Sequence, residues 1–331
     1  VKCLSGFFYS FFSYTKNNTN QSRLKMNEFS FIKWIRGDQK KDKNVIIGIG
    51  DDCASIRIND DNVFLVTTDM LVEGTHFDLK KSTLGEIGSK SIACSISDIA
   101  AMGCSAKYAV VSICFPHETK TKFARDLYRG IKKMADAFNI KIIGGDIVSS
   151  KKTVVINVTM YGRNEGLKPV SRSGAKVDDV IMVTGELGGS ILEKHTTFNP
   201  RLKEGLLLNK KFNINSMIDI SDGLTADLGH ILEESGVGAV LYEDEVPISA
   251  DAKKLARKTG LSALHHALHD GEDYELLFTL SDEESKKLLA SRSFPAQLSK
   301  IGHINKSKGI KMQDTVGKLK RIKSIGYNHF K

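Results

Sequence analysis

Long apolar runs are missing: no window of about 18 residues is apolar enough to cross a bilayer, so the chain is read as having no membrane-spanning helix. Cysteine is scarce. Five residues (Cys3, Cys53, Cys94, Cys104, Cys114) form an odd set with no C-x-x-C pair and no histidine at zinc-ligand spacing, which argues against a disulfide framework or zinc site and fits a reducing cytoplasm. Neither G-x-G-x-x-G nor G-x-x-x-x-G-K-[ST] occurs, so any ATP is held by something other than a Rossmann turn or a P-loop. Gly48-Ile49-Gly50 and the Gly-rich residues 184–190 read as tight turns as readily as phosphate cradles. No Ser/His/Asp or Cys/His context suggests acyl transfer, and His265-His266 reads as surface.

What is present is a chain of 331 residues, 41% hydrophobic, long enough for two globular domains. Its net charge of +9 admits nucleic acid, an anionic metabolite, or a lysine-rich composition with no particular partner. The lysines are scattered, as at Lys40-Lys41 and Lys132-Lys133, with little aromatic interleaving, so most are read as solvated surface. Nucleic-acid surfaces are lined with Lys and Arg, whereas the motifs of this chain are lined with Asp, which argues against a nucleic-acid partner.

Four apolar, strand-like runs end on aspartate: at Asp51-Asp52, Asp69, Asp146, and Asp219 with Asp222. Acids at strand ends sit at a sheet's rim, where α/β proteins place ligands. Two unpaired carboxylates about 4 Å apart repel by roughly 4 kcal/mol at an effective dielectric of about 20, so a convergent cluster requires cations. Hard oxygen ligands favour Mg²⁺ and, behind it, a phosphate substrate.

Regular patterning begins at Met26, after a Phe-rich start that is read as a dispensable extension over residues 1–25. Asn27 is expected to cap a helix with Phe29, Ile32 and Ile35 on its apolar face. A helix near 83–102 carries Ile92, Ile96 and Ile99 on one face and Ser91, Ser95 and Asp98 on another. Asp98 is either a solvated position or, given its small neighbours, a ligand. Residues 171–179 read as the linker between domains 26–165 and 166–331. In the second, Ser221 or Asp222 is expected to cap the helix from Leu224, aiming backbone N–H groups at the acids.

Eight motifs in order resemble one family. They are Gly48-Ile-Gly-Asp-Asp52, Thr67-Thr-Asp-Met-Leu-Val-Glu-Gly-Thr-His-Phe77, Ser97-Asp-Ile-Ala-Ala-Met-Gly103, Ile143-Gly-Gly-Asp146, Ser171-Arg-Ser-Gly-Ala175, Ile218-Asp-Ile-Ser-Asp-Gly-Leu224, Gly271-Glu-Asp-Tyr-Glu-Leu276 and Gly326-Tyr-Asn-His-Phe330. The pattern is similar to that of the thiamine-monophosphate kinases. The resemblance implies the two-domain α/β (α+β) fold of the aminoimidazole-ribonucleotide-synthetase superfamily, shared with selenophosphate synthetase, and a homodimer formed through the N-terminal domain. It implies Mg²⁺ ions held by Asp52, Thr67, Thr68, Asp69, Asp98, Asp146, Asp219 and Asp222. ATP would meet Tyr128, Gly145, Asp146, Arg172 and Ser221, and thiamine monophosphate would meet His76, Glu272 and Tyr327. Asp69, Asp146 and Arg172 would carry catalysis, while Asp51, Asp227 and Asp273 keep structural roles. Residues 190–217 form a shorter stretch than the resemblance leads one to expect, which leaves a related kinase with another phosphorylated acceptor as the alternative.

Overall fold

A computed structural model describes residues 27–60, 62–327 and 329, so the proposed 1–25 extension lies outside the described residues. Residues 45–163 build one layer: β1 (Val45–Ile47), β2 (Ala54–Arg57), β3 (Val63–Val72), β4 (Ser105–Pro116), β5 (Lys141–Ser150) and β6 (Val155–Arg163) form a six-stranded sheet in the order β1-β2-β3-β6-β4-β5. Every neighbouring pair in it is antiparallel except β4 and β5. β3 and β5 do not stop at their acids as expected. Asp69 lies mid-strand because β6 offers β3 a full ladder from Phe64 opposite Arg163 to Val72 opposite Val155. Ile147 and Val148 likewise continue β5 past Asp146, opposite Ile113 and Cys114 of β4.

Period-two burial gives this sheet an inner face (Leu65, Thr67, Val111, Ile156, Val158) and an outer face (Phe64, Thr68, Met70, Tyr108) that no other described residues cover. The helices α2 (Leu84–Ala101) and α3 (Thr121–Ala137) lie between these strands in the chain, and α1 (Glu28–Asp38) precedes them. Thr83 and Glu86 start α2 with a reciprocal capping box. Ile92, Ile96 and Ile99 are fully buried, as their spacing predicts.

Residues 180–322 build the second layer. β7 (Val180–Thr184), α4 (Lys194–Thr197), α5 (Leu202–Lys211), β8 (Ile214–Asp219), α6 (Leu224–Ser235), β9 (Gly238–Tyr242), α7 (Ala250–Thr259), α8 (Ala263–His269), β10 (Leu276–Leu280), α9 (Asp282–Ala290), β11 (Leu298–Asn305), β12 (Gly309–Gln313) and β13 (Leu319–Ile322) follow in sequence. Their sheet runs β13-β12-β9-β11-β7-β10-β8, with only β9 and β12 parallel. In β7, alternate residues serve two cores: Val180 and Met182 join the core around α2, and Ile181 and Val183 join the one under α6. α2 is therefore the central helix, packed against β3 and β6 on one side and β8, α4 and α5 on the other.

Several local expectations change. Asn27 does cap α1, accepting from the Ser30 N–H at 3.0 Å, but no α1 residue is buried. α1 is held instead by ion pairs from Arg36 and Lys33 to Glu234 and Glu233 of α6 and by Phe29 against His230. The 171–179 linker is pinned, since buried Asp179 accepts from Lys176 N–H at 2.8 Å and from Asn215 Nδ2 at 2.9 Å. His266 is buried rather than on the surface, bonded to Asp270 and Thr259. No helix among the described residues is long and apolar enough to cross a membrane.

Candidate active site

The acids converge where β3, α2, the β1–β2 turn and the end of β8 meet. Carboxylate oxygens of Asp52, Asp98 and Asp219 lie within 4.8 Å of one another. The stripe on α2 explains part of the assembly. Ser95 Oγ donates to Asp69 at 2.5 Å, Ser97 Oγ donates to Asp219 at 2.6 Å, and the Thr67 hydroxyl donates to Asp98. Arg172, from the pinned linker, donates through Nη2 to Asp52 at 2.5 Å. The backbone N–H groups of Arg172 and Asp52 donate to Asp51 at 3.1 and 3.0 Å, so Asp51 shapes the turn that presents Asp52.

Electrostatically the cluster is under-compensated. Burial raises the Asp52, Asp69 and Asp98 carboxyls above their ordinary range and brings Asp51 and Asp219 to about 7. Repulsion from Asp52 adds to the rise at Asp51 and Asp219, against which Arg172 pulls down. Asp52 Oδ2 and Arg172 Nε are buried without a hydrogen-bond partner among the described residues. A buried acceptor left without a donor, Asp52 Oδ2, among converging carboxylates that are all hard oxygen fits divalent cations such as Mg²⁺.

Asp222 stands on the flank, within 4.8 Å of Asp227 and His230, its carboxyl raised to about 6 chiefly by burial. Neither Ser221 nor Asp222 caps α6. The cap position is Gly223, and Asp227 in the first turn reaches back to accept from the Asp222 and Gly223 N–H groups at 3.1 and 3.0 Å.

Beside the acids lies a second group. The Glu272 N–H donates to Ser221 O at 2.7 Å and the Tyr274 N–H donates to Ile220 O at 2.8 Å, holding both residues left-handed (φ 63° and 50°). The Tyr327 N–H donates to Asp222 O at 3.1 Å. Gly326 permits this approach, because a Cβ there would lie 2.5 Å from the Asp222 carbonyl oxygen and 2.4 Å from Ala226 Cβ. Tyr327 meets His329 edge-on at 4.9 Å between centroids, and His329 lies 5.2 Å from His76. His76 Nδ1 accepts from the Val72 N–H at 3.0 Å, and burial keeps the ring's pKa below its usual value.

His76, Glu272 and Tyr327 are thus brought together next to Asp222 and Ser221, while Asp52, Thr67, Asp69, Asp98, Asp219 and Arg172 form the acid centre. Four expected residues are not gathered within one chain. Thr68 points to the outer face of β3, where Asn157 Nδ2 donates to its hydroxyl at 3.1 Å, so its side chain takes no part in the cluster. Asp146 also belongs to the outer face, in the row of Ser112, Asn157 and Met70, with β6 and β4 between β5 and β3. Tyr128 is exposed on α3. Gly145 has a packing role of its own, since a Cβ there would strike the Val111 carbonyl at 1.9 Å. Sequence reasoning missed Lys90, which joins Glu272 to His76, and His195. The signal for Lys90 was a single lysine amid the small and apolar residues of α2.

The AIR synthase related protein N-terminal domain family matches residues 50–164, and the corresponding C-terminal domain family matches residues 178–315. The thiamine-monophosphate kinase of Rhodopirellula baltica is 34% identical over 309 residues, covering 91% of this chain and 97% of that protein. The chain belongs to the thiamine-monophosphate kinase family. The family member from Buchnera aphidicola subsp. Schizaphis graminum is 37% identical, covering 93% of this chain and all of that protein (100%). Among solved structures, AaThiL complexed with AMPPCP and TMP is similar at a TM-score of 0.80 and 28% identity, covering 92% of this chain and 97% of that one.

Proposed function

We propose that this protein transfers the γ-phosphoryl group of ATP to thiamine monophosphate, releasing ADP and thiamine diphosphate. One observation carries the reading: the acid centre around Asp52, Asp98 and Asp219 continues along the chain to Ser221 and Asp222, whose carbonyls hold Glu272 and Tyr327, with His76 beside them. The acceptor is a phosphate oxygen already largely ionised, since its second pKa is near 6, so the absence of a strong base among the acids suits the chemistry. A bond forms between that oxygen and the γ-phosphorus as the bond to the ADP oxygen breaks. The main obstacle is repulsion between two polyanions. Mg²⁺ ions would supply the positive charge that offsets this repulsion. Asp52, Thr67, Asp69, Asp98, Asp219 and Asp222 are the residues that would hold them. Arg172 adds fixed positive charge, and Ser221 lies where the nucleotide and acceptor halves join.

Tyr128, Gly145 and Asp146 are assigned to ATP, with Asp146 completing the metal shell, all supplied by the partner protomer of a homodimer. The support is the uncovered face and edge of the six-stranded sheet, where Phe64, Met70, Tyr108, Ile143, Ile147 and Val148 are all exposed. We place the protein in the cytoplasm, in keeping with its free cysteines at 53, 94, 104 and 114. The test incubates the protein with ATP, Mg²⁺ and a panel of phosphorylated vitamins and identifies the products chromatographically. Thiamine diphosphate and ADP in equal amounts are expected, and preferential phosphorylation of another monophosphate overturns the acceptor assignment.

A further inference from the structure

Lys90, in the middle of α2, is buried to 1% exposure. A lysine ammonium has three donors and no acceptor, and burying it unpaired is costly. Three acceptors surround this one: the His76 carbonyl at 2.8 Å, His195 Nδ1 at 3.2 Å, and Glu272 Oε1, with which it forms an ion pair. Each comes from a different part of the chain. His76 follows β3, His195 lies in α4, and Glu272 precedes β10. Neighbouring positions on α2 are filled by Ile87, Ser91 and Cys94, so packing alone does not call for a charge here.

The arrangement constrains its partners. Lys90 only donates, and His195 Nδ1 stands between the ammonium and Glu272. Glu272 Oε2 lies 3.4 Å from the same His195 nitrogen. Burial works to protonate Glu272, but His195 and Lys90 hold its carboxyl below the usual range, so it remains an anion. The carboxylate keeps part of its surface open (28%). An open, fixed anion suits the cationic ring of a thiazolium-bearing acceptor.

We propose that Lys90 is the positioning residue of the acceptor pocket and that His195 is its second support, together fixing Glu272 and the His76 turn toward a cationic acceptor. The inference rests on the acceptor-pocket reading above. α2 thereby links the pocket to the acid centre, since Asp98 lies eight residues along the same helix, about 12 Å at 1.5 Å per residue.

The test compares wild type with Lys90→Met, Lys90→Arg and His195→Ala, measuring KM for thiamine monophosphate and for ATP separately, with circular dichroism and Tm as controls for folding. Lys90→Met is expected to raise the acceptor KM about tenfold or more while the ATP KM stays within about twofold. Lys90→Arg should recover part of that loss, and His195→Ala should raise the acceptor KM about threefold. An unchanged acceptor KM, or equal changes for both substrates, overturns the proposal. Should Lys90→Met fail to fold, Lys90→Arg and His195→Ala decide by the same criterion. If wild type prefers another acceptor, the proposed function fails by itself, and the same split measured with that acceptor still supports or overturns the role of Lys90. Turnover with no acceptor of the panel sinks both.

Discussion

Asp219 closes β8 with its carboxyl raised to about 7 by burial and by Asp52, and Asp51 is raised to the same value. An acid that binds its proton more tightly folded than unfolded stabilises the fold below its unfolded pKa, near 4, and that stability is lost as pH rises through about 7. The Tm of the metal-free protein should therefore fall between pH 6 and pH 8, and Mg²⁺ should remove most of the fall. Asp219→Asn should flatten the slope and raise the metal-free Tm at pH 8. A metal-free Tm that rises with pH over this range contradicts the account. Asp69→Asn should abolish phosphoryl transfer without loss of fold, because Ser95 can still hydrogen-bond the amide; near wild-type turnover would remove Asp69 from the metal shell. At the pocket's far wall, aromatic contact with a cationic ring is worth on the order of 1–2 kcal/mol, so Tyr327→Ala should raise the acceptor KM about fivefold to thirtyfold and spare ATP. Equal losses for both substrates would make Tyr327 a tail anchor only.

α2 shows at the scale of one element how packing and chemistry share a helix. Its crossing with α3 is close enough that a Cβ on Gly130 would lie 2.1 Å from the Gly85 carbonyl, and one on Gly88 would lie 2.2 Å from that of Leu127. Gly130→Ala should consequently cost about 1–3 kcal/mol through forced separation of the helices, despite alanine's better helix propensity. Chemical denaturation measures it, and a stabilised variant would show that the helices can part freely. The stripe of Ser91, Ser95 and Asp98 was legible in the sequence because helical spacing is a local property. The partners of that stripe were not, since Asp69 and Thr67 reach it from β3.

For the whole molecule, the separation of Asp146 from Asp69 is the governing fact. Two strands intervene, about 14 Å at strand spacing, and the two side chains belong to opposite faces. If Asp146 serves the partner's site, Asp69→Asn and Asp146→Asn should each be inactive alone. Mixing them after reversible dissociation should restore about a quarter of wild-type turnover, because half of the dimers are mixed and each holds one intact site. Two inactive variants that fail to complement, despite subunit exchange verified by mass spectrometry, would place both acids in one protomer's site.

By itself the sequence determined the strand-and-helix alternation, the capped start of α1 and the set of acids, because hydrophobic period, capping and ordered motifs are properties of neighbouring residues. It also marked Glu272 and Tyr327, though not how they are held. Only the tertiary structure decided that Asp69 sits within a strand, that Asp227 rather than Asp222 satisfies the start of α6, and that Lys90 binds Glu272 across 182 positions. Each depends on which distant segment fills the space beside a residue. Ladder partners, buried donors and left-handed turns are fixed by that long-range packing, which no local pattern encodes.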